Sequence, residues 1–98
     1  MNSVMCCEFN DFAKAMANKT RQQILLLLQA GELNESDIIA HTNLKQPTIS
    51  HHLSLLKRAN LVLARRKGKY IFYHINAACI SDCCGEIMAR YNSLSQKT

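Results

Sequence analysis

The period of the apolar residues changes abruptly in the middle of the chain. Ile49, Leu53 and Leu56 recur at i, i+4 and i+7, the inward stripe of an amphipathic helix. A few residues on, Leu61-Val62-Leu63 and Tyr70-Ile71-Phe72-Tyr73 are β-prone runs separated by basic residues and Gly68, the pattern of a hairpin. A chain of 98 residues is one domain, residues 1–98, so helix and hairpin must share a single core.

The flanks read as helices. Met5, Phe9, Phe12 and Met16 share a face over roughly Val4 to Ala17. Thr20 or Asn18 can cap a second helix that runs through Ala30, with Gly31 as its stop. Asn34 followed by Asp37 resembles a capping arrangement before a short helix from about Ser36 to His41. Pro47 suits the first position of the next helix, where a missing N–H has no helical partner to lose. The tail from about Ala77 to Leu94 is helical again, with Ile80, Cys84, Ile87, Tyr91 and Leu94 on one face. The order is α-α-α-α-β-β-α, mainly α with a small β-hairpin. This is the winged helix-turn-helix arrangement, with the helix-turn-helix at about 36–58, the wing at about 61–75 and a C-terminal helix at about 77–95.

The longest aliphatic run, Ile24 to Leu28, is far short of the roughly 20 residues that span a bilayer. The start of the chain has neither a basic region nor a long apolar one, so a cytoplasmic location and no membrane partner are expected.

The formal charge of +5 is unevenly placed. Residues 1–44 carry Lys14, Lys19 and Arg21 against Glu8, Asp11, Glu32, Glu35 and Asp37, a net of −2. Residues 75–98 balance, with Arg90 and Lys97 against Asp82 and Glu86. Residues 45–74 hold Lys45, Lys57, Arg58, Arg65, Arg66, Lys67 and Lys69 with no acid at all, a net of +7. A block so one-sided suits a polyanion, most simply nucleic acid.

The same segment contains the helix-turn-helix and the wing. With the apolar positions of the second helix turned inward, Gln46, Thr48, Ser50, His51 and, less squarely, His52 are left to face DNA, where amides, hydroxyls and imidazoles pair with base edges or phosphates. Arg65 and Arg66 enter the hairpin, and Lys67 and Lys69 flank its tip, within reach of the phosphate backbone or an adjacent minor groove. An enzyme reading finds no support: no Gly-rich phosphate loop, paired-carboxylate site or Ser/His/Asp arrangement is present.

Five cysteines, an odd number, fall at the two ends only: Cys6 and Cys7, then Cys79, Cys83 and Cys84. A structural disulfide framework is a poor reading of this pattern. Thiolates select soft ions such as zinc, cadmium, lead, cuprous copper and trivalent arsenic or antimony. Cys79 and Cys83, four residues apart, can share one ion on a helix face. Cys84 lies about 140° around the helix from Cys79, so a third ligand would come from a break at the helix start, or from Cys6 or Cys7. Cys84 can instead be a small interface hydrophobe, and nearby thiols can form a redox switch. His41 and His74 stand alone and read as surface or hydrogen-bonded residues.

The sequence resembles the ArsR/SmtB family of metal-responsive bacterial repressors over roughly residues 9–76. Phe12 to Arg21 followed by Ile24-Leu25 is similar to that family's opening helices, Gln46-Pro47-Thr48-Ile49-Ser50-His51-His52-Leu53 to its recognition helix, and Arg66-x-Gly68 with Tyr73-x-Ile75 to its wing. The resemblance implies a homodimer paired through the first and last helices, bound to double-stranded operator DNA with two-fold symmetry and released by a ligand.

Two departures concern that ligand. Prototype arsenic repressors carry Glu-Leu-Cys-Val-Cys-Asp-Leu where this chain has Glu32-Leu33-Asn34-Glu35-Ser36-Asp37-Ile38, so both thiolates are gone. The zinc-type positions of the last helix fall on Ala77, Cys79, Arg90 and Ser93, which cannot form that site. The expectation is a repressor with no obligatory cofactor, released by a thiophilic metal or metalloid, arsenite first, at Cys79, Cys83 and Cys84 with Cys6 and Cys7 as additional ligands. A thiol redox or sulfur sensor of the same fold is the alternative. A cysteine-based metal storage or delivery protein is the rival from another class, and it leaves the basic middle unexplained.

Overall fold

Among the described residues eight elements follow one another through short connections: α1 (Phe9–Met16), α2 (Lys19–Gln29), β1 (Leu33–Asn34), α3 (Glu35–Thr42), α4 (Gln46–Arg58), β2 (Val62–Lys67), β3 (Tyr70–Ile75) and α5 (Ala77–Gln96). The computed structural model describes the backbone of residues 8–96 and the side chains of residues 8–91. The part of the first expected helix before Glu8 lies outside the described residues, as do Cys6 and Cys7.

Local chemistry sets the helix ends. Asn18 caps α2 by accepting a hydrogen bond from the Arg21 amide at 3.0 Å. At its other end the Gly31 amide donates to the Leu28 carbonyl at 3.1 Å, with Gly31 at φ +153°. A full capping box starts α3. Asn34 Oδ1 accepts from the Asp37 amide at 2.8 Å, and the Asn34 amide donates to the Asp37 carboxylate at 3.4 Å. Asn43, in the left-handed region at φ 61°, ends α3 and turns the chain toward α4. Pro47 occupies the second position of α4, one later than the sequence pattern suggests, and its missing N–H remains harmless there.

The core is built from one stripe of each element. Phe12 and Ala15 of α1, Ile24 and Leu28 of α2, Ile38 of α3 and Ile49, Leu53 and Leu56 of α4 are buried together with Leu61 and Val62. Each large aliphatic side chain so buried contributes roughly 1.5–3 kcal/mol. Cys79 and Cys83 extend this core onto α5, at 2% and 0% exposure.

The sheet is antiparallel and has three strands in the order β1-β3-β2. The hairpin aligns Val62 with Ile75 and Lys67 with Tyr70, closed by the two-residue turn Gly68-Lys69 with Gly68 at φ 61°. The third strand, not expected from the sequence, pairs Leu33 with Tyr73 and Asn34 with Phe72. It anchors the wing to the start of α3, so wing and helix-turn-helix form one body.

At the far end of the wing, Asn76 joins three elements. Its amide donates to the Leu61 carbonyl at 2.9 Å, its side-chain nitrogen to the Asn60 carbonyl at 2.9 Å, and its Oδ1 accepts from the Cys79 amide at 3.3 Å. The start of α5 is thus tied to the turn that follows α4. Beyond it, Met88 and Tyr91 are each 59% exposed on the outer side of α5. Among the described residues no helix is long and apolar enough to cross a membrane.

Candidate nucleic-acid interface

The first turns of α4 carry polar side chains outward because Ile49, Leu53 and Leu56 commit the opposite face to the core. Gln46, Thr48 and His51 are exposed, and Ser50 is half-buried. His52 departs from this pattern. It is half-buried and turned toward α2, where Arg21 Nη1 approaches its Nδ1 at 3.3 Å. Burial, then the neighbouring Arg21 charge, then His51 hold the His52 pKa below the usual imidazole range. His52 is therefore placed to position α4 through Arg21.

Two acids absent from the basic segment fold back onto it. Glu35, at the first position of α3, accepts from Gln46 Nε2 at 3.1 Å through Oε1 and from Ser50 Oγ at 2.8 Å through Oε2. Gln46 Nε2 also lies 3.4 Å from Ser50 Oγ. Glu32, just before β1, accepts from Arg65 at 2.9 Å and Lys67 at 2.8 Å. Those two hydrogen bonds, Lys67 first, hold the Glu32 carboxyl below the usual carboxylate range. Neither acid stands out in the sequence. Their partners lie 11 to 35 residues away, with no local spacing to reveal them.

Strand alternation divides the wing cations. Arg65 and Lys67 share the face that meets Glu32, and Arg66 takes the other, donating from Nε to the Gly68 carbonyl at 3.2 Å. Lys67 also lies over the Phe72 ring at 5.1 Å and Lys69 over Tyr70 at 5.7 Å. Among the described residues, the wing therefore presents Arg66 and Lys69 unopposed by acid, with two further cations shared with Glu32. The helix start and the basic wing lie on one rigid unit, which suits a duplex: the helix to a groove, the cations to phosphates.

The cysteines sit elsewhere, on α5. Cys79 and Cys83 face the core together, while Cys84 is a free, exposed thiol on another side of the helix. Cys79 is disulfide-bonded. No cluster of three or more His, Cys, Asp or Glu that could hold a metal ion occurs among the described residues. His41 Nδ1 meets the Asp37 carbonyl at 2.9 Å, and His74 Nδ1 is buried without a hydrogen-bond partner among the described residues.

Fold and surface together define a winged helix-turn-helix DNA-binding regulator. Residues 18–63 match the arsR family of bacterial regulatory proteins. The chain is 41% identical to the transcriptional repressor SdpR of Bacillus subtilis over 73 residues, 74% of this chain and 81% of that protein. It is 36% identical to the arsenical resistance operon repressor of Staphylococcus aureus over 75 residues, 76% of this chain and 72% of the relative. A homodimeric winged helix-turn-helix DNA-binding domain from Mycobacterium bovis superposes with a TM-score of 0.70 at 32% identity, covering 89% of this chain and 82% of that one. The chain belongs to the arsR family.

Proposed function

We propose that this arsR-family transcriptional repressor holds operator DNA as a homodimer when its thiols are reduced, and releases it when Cys79 is oxidised to a disulfide. The observation that carries this reading is the disulfide at Cys79, on a helix start fastened through Asn76 to the end of the α4 turn. Disulfides in a reducing compartment are characteristically transient and regulatory. Two thiols lose two electrons and two protons to hydrogen peroxide, which is reduced to two waters, and the new bond fixes α5 against a second segment. In this reading the second thiol is one of the N-terminal pair, Cys6 or Cys7, which lie outside the described residues. The exposed Met88 and Tyr91 supply apolar surface for pairing two copies along α5, and two copies of α4 then meet two half-sites. A change at α5 biases DNA binding if oxidised and reduced dimers differ in affinity, typically by about 1–3 kcal/mol.

A second reading is favoured by the arsenical resistance operon repressors among the relatives. Here arsenite or another soft ion bridges the reduced thiols of Cys79, Cys83 and a cysteine of the N-terminal pair. Both readings use Cys79 and the N-terminal pair, in opposite redox states, and the second adds Cys83.

Titrating reduced protein on the DNA upstream of its own gene with peroxide, arsenite, cadmium and zinc separately distinguishes them. Release by peroxide that a dithiol reverses supports the first. Release at stoichiometric arsenite, with peroxide inert, replaces it with the second. Binding that ignores every addition overturns both.

A further inference from the structure

We propose, resting on the DNA-binding reading above, that Glu35 sets the base preference of the reading helix by fixing which end of the Gln46 side chain faces DNA. A carboxylate has only acceptor atoms, so the amide group 3.1 Å from Glu35 Oε1 must turn its NH2 toward it. The second amide hydrogen is directed to Ser50 Oγ at 3.4 Å. Ser50 in turn donates its one hydrogen to Glu35 Oε2 at 2.8 Å. Both donors of Gln46 and the donor of Ser50 are thereby engaged within the protein.

What Gln46 retains for a ligand is its carbonyl Oε1, an acceptor. An unconstrained glutamine presents donor and acceptor together and favours adenine, whose N7 and N6 match both. A glutamine reduced to an acceptor needs only a donor. In the major groove that donor is adenine N6 or cytosine N4, while guanine O6 and thymine O4 meet it as a second acceptor. The arrangement reads amino-bearing bases, A or C, against keto-bearing ones, G or T, at one position of each half-site.

This device belongs to the present chain's own sequence. Glu35 stands where the prototype arsenic repressors that it resembles have Val, within the stretch that has lost its two thiolates. Glu35 is a positioning residue: it acts through Gln46, and its carboxylate is already held by two donors.

Selection of binding sites from a randomised duplex library, using the reduced full chain, tests the proposal. The wild type should restrict one position per half-site to A or C. Glu35→Val should admit G or T there, reducing the discrimination by roughly tenfold, the order of one base-edge hydrogen bond, and should favour A over C. Glu35→Gln should relax the same position, because a neutral amide no longer dictates how Gln46 is turned. In a Gln46→Ala background Glu35→Val should add nothing at that position. Unchanged base selection in both Glu35 variants overturns the proposal while leaving DNA binding intact. A Glu35 effect that persists without Gln46 also overturns it. A wild type that binds duplex but selects no sequence overturns this proposal alone, and one that retains no duplex overturns the DNA-binding reading with it.

Discussion

Arg21 and His52 join the opening helices of the chain to the reading helix. The Arg21 guanidinium places Nη1 3.3 Å from His52 Nδ1, while its Nε and Nη2 donate to the Ala15 and Lys14 carbonyls at 2.8 and 2.9 Å. Arginine has no acceptor, so Nδ1 must supply the lone pair, and the neutral ring carries its proton on Nε2. One side chain thus closes the end of α1 and fixes the rotation of α4.

Protonating His52 removes that lone pair and sets two cations together. Its folded pKa is below the ordinary value of 6.5, so the unfolded chain takes up the proton first as pH falls. The contribution to stability is fully present above pH 6.5 and is lost as pH falls toward the depressed folded value. Urea midpoints measured from neutral pH down to about pH 5 should decline once the ordinary imidazole range is entered. His52→Gln, which keeps an acceptor and cannot titrate, should reduce the slope; an unaltered slope contradicts the assignment.

Glu32 opposes two of the wing cations. Glu32→Gln should strengthen binding to all duplexes alike and steepen the dependence of log K on log salt, because Arg65 and Lys67 become available to phosphate. Arg66→Gln should act in the reverse sense, flattening the slope by about 0.9 for the one phosphate it no longer neutralises. Binding isotherms at several salt concentrations read both, and equal slopes in all three proteins would remove the wing from the interface.

His51 is exposed on the reading helix, while its neighbour His52 takes the approach of Arg21. His51→Ala should narrow the affinity gap between operator and random duplex while leaving the salt slope nearly unchanged. A uniform loss on both duplexes would place His51 on phosphate instead.

The capping box at Asn34 gives a stability prediction independent of DNA. Asn34→Ala removes the acceptor for the Asp37 amide and should cost about 1 kcal/mol, read as a lower midpoint in chemical denaturation. No loss would mean that β1 pairing alone holds the start of α3.

The order of helices and the wing was legible because each signal is local. Asn18 and the Asn34–Asp37 pair act within one turn, and Ile49, Leu53 and Leu56 lie on one stripe. The strand Leu33–Asn34 was invisible, since two residues cannot show alternation and only pairing with β3 makes them a strand. The apolar stripe read on α5 placed Cys84 and Tyr91 with Ile80 and Ile87. In the protomer Cys79 and Cys83 meet the core, and Cys84 and Tyr91 are exposed. A helix with apolar residues on two sides gives one periodicity and no indication of which side its own chain will cover. The basic segment was free of acid along the chain but not in space, because Glu32 and Glu35 return to it through contacts set by the tertiary fold.

The most direct measurement is fluorescence anisotropy of the wild-type chain on its upstream DNA, first fully reduced, then after stoichiometric peroxide, then after dithiol, with Cys79→Ala in parallel. Tight reduced binding, release on oxidation and recovery with dithiol are expected, together with a Cys79→Ala protein that binds and does not release. Release of Cys79→Ala by peroxide to the same extent as the wild type would contradict the redox role of Cys79.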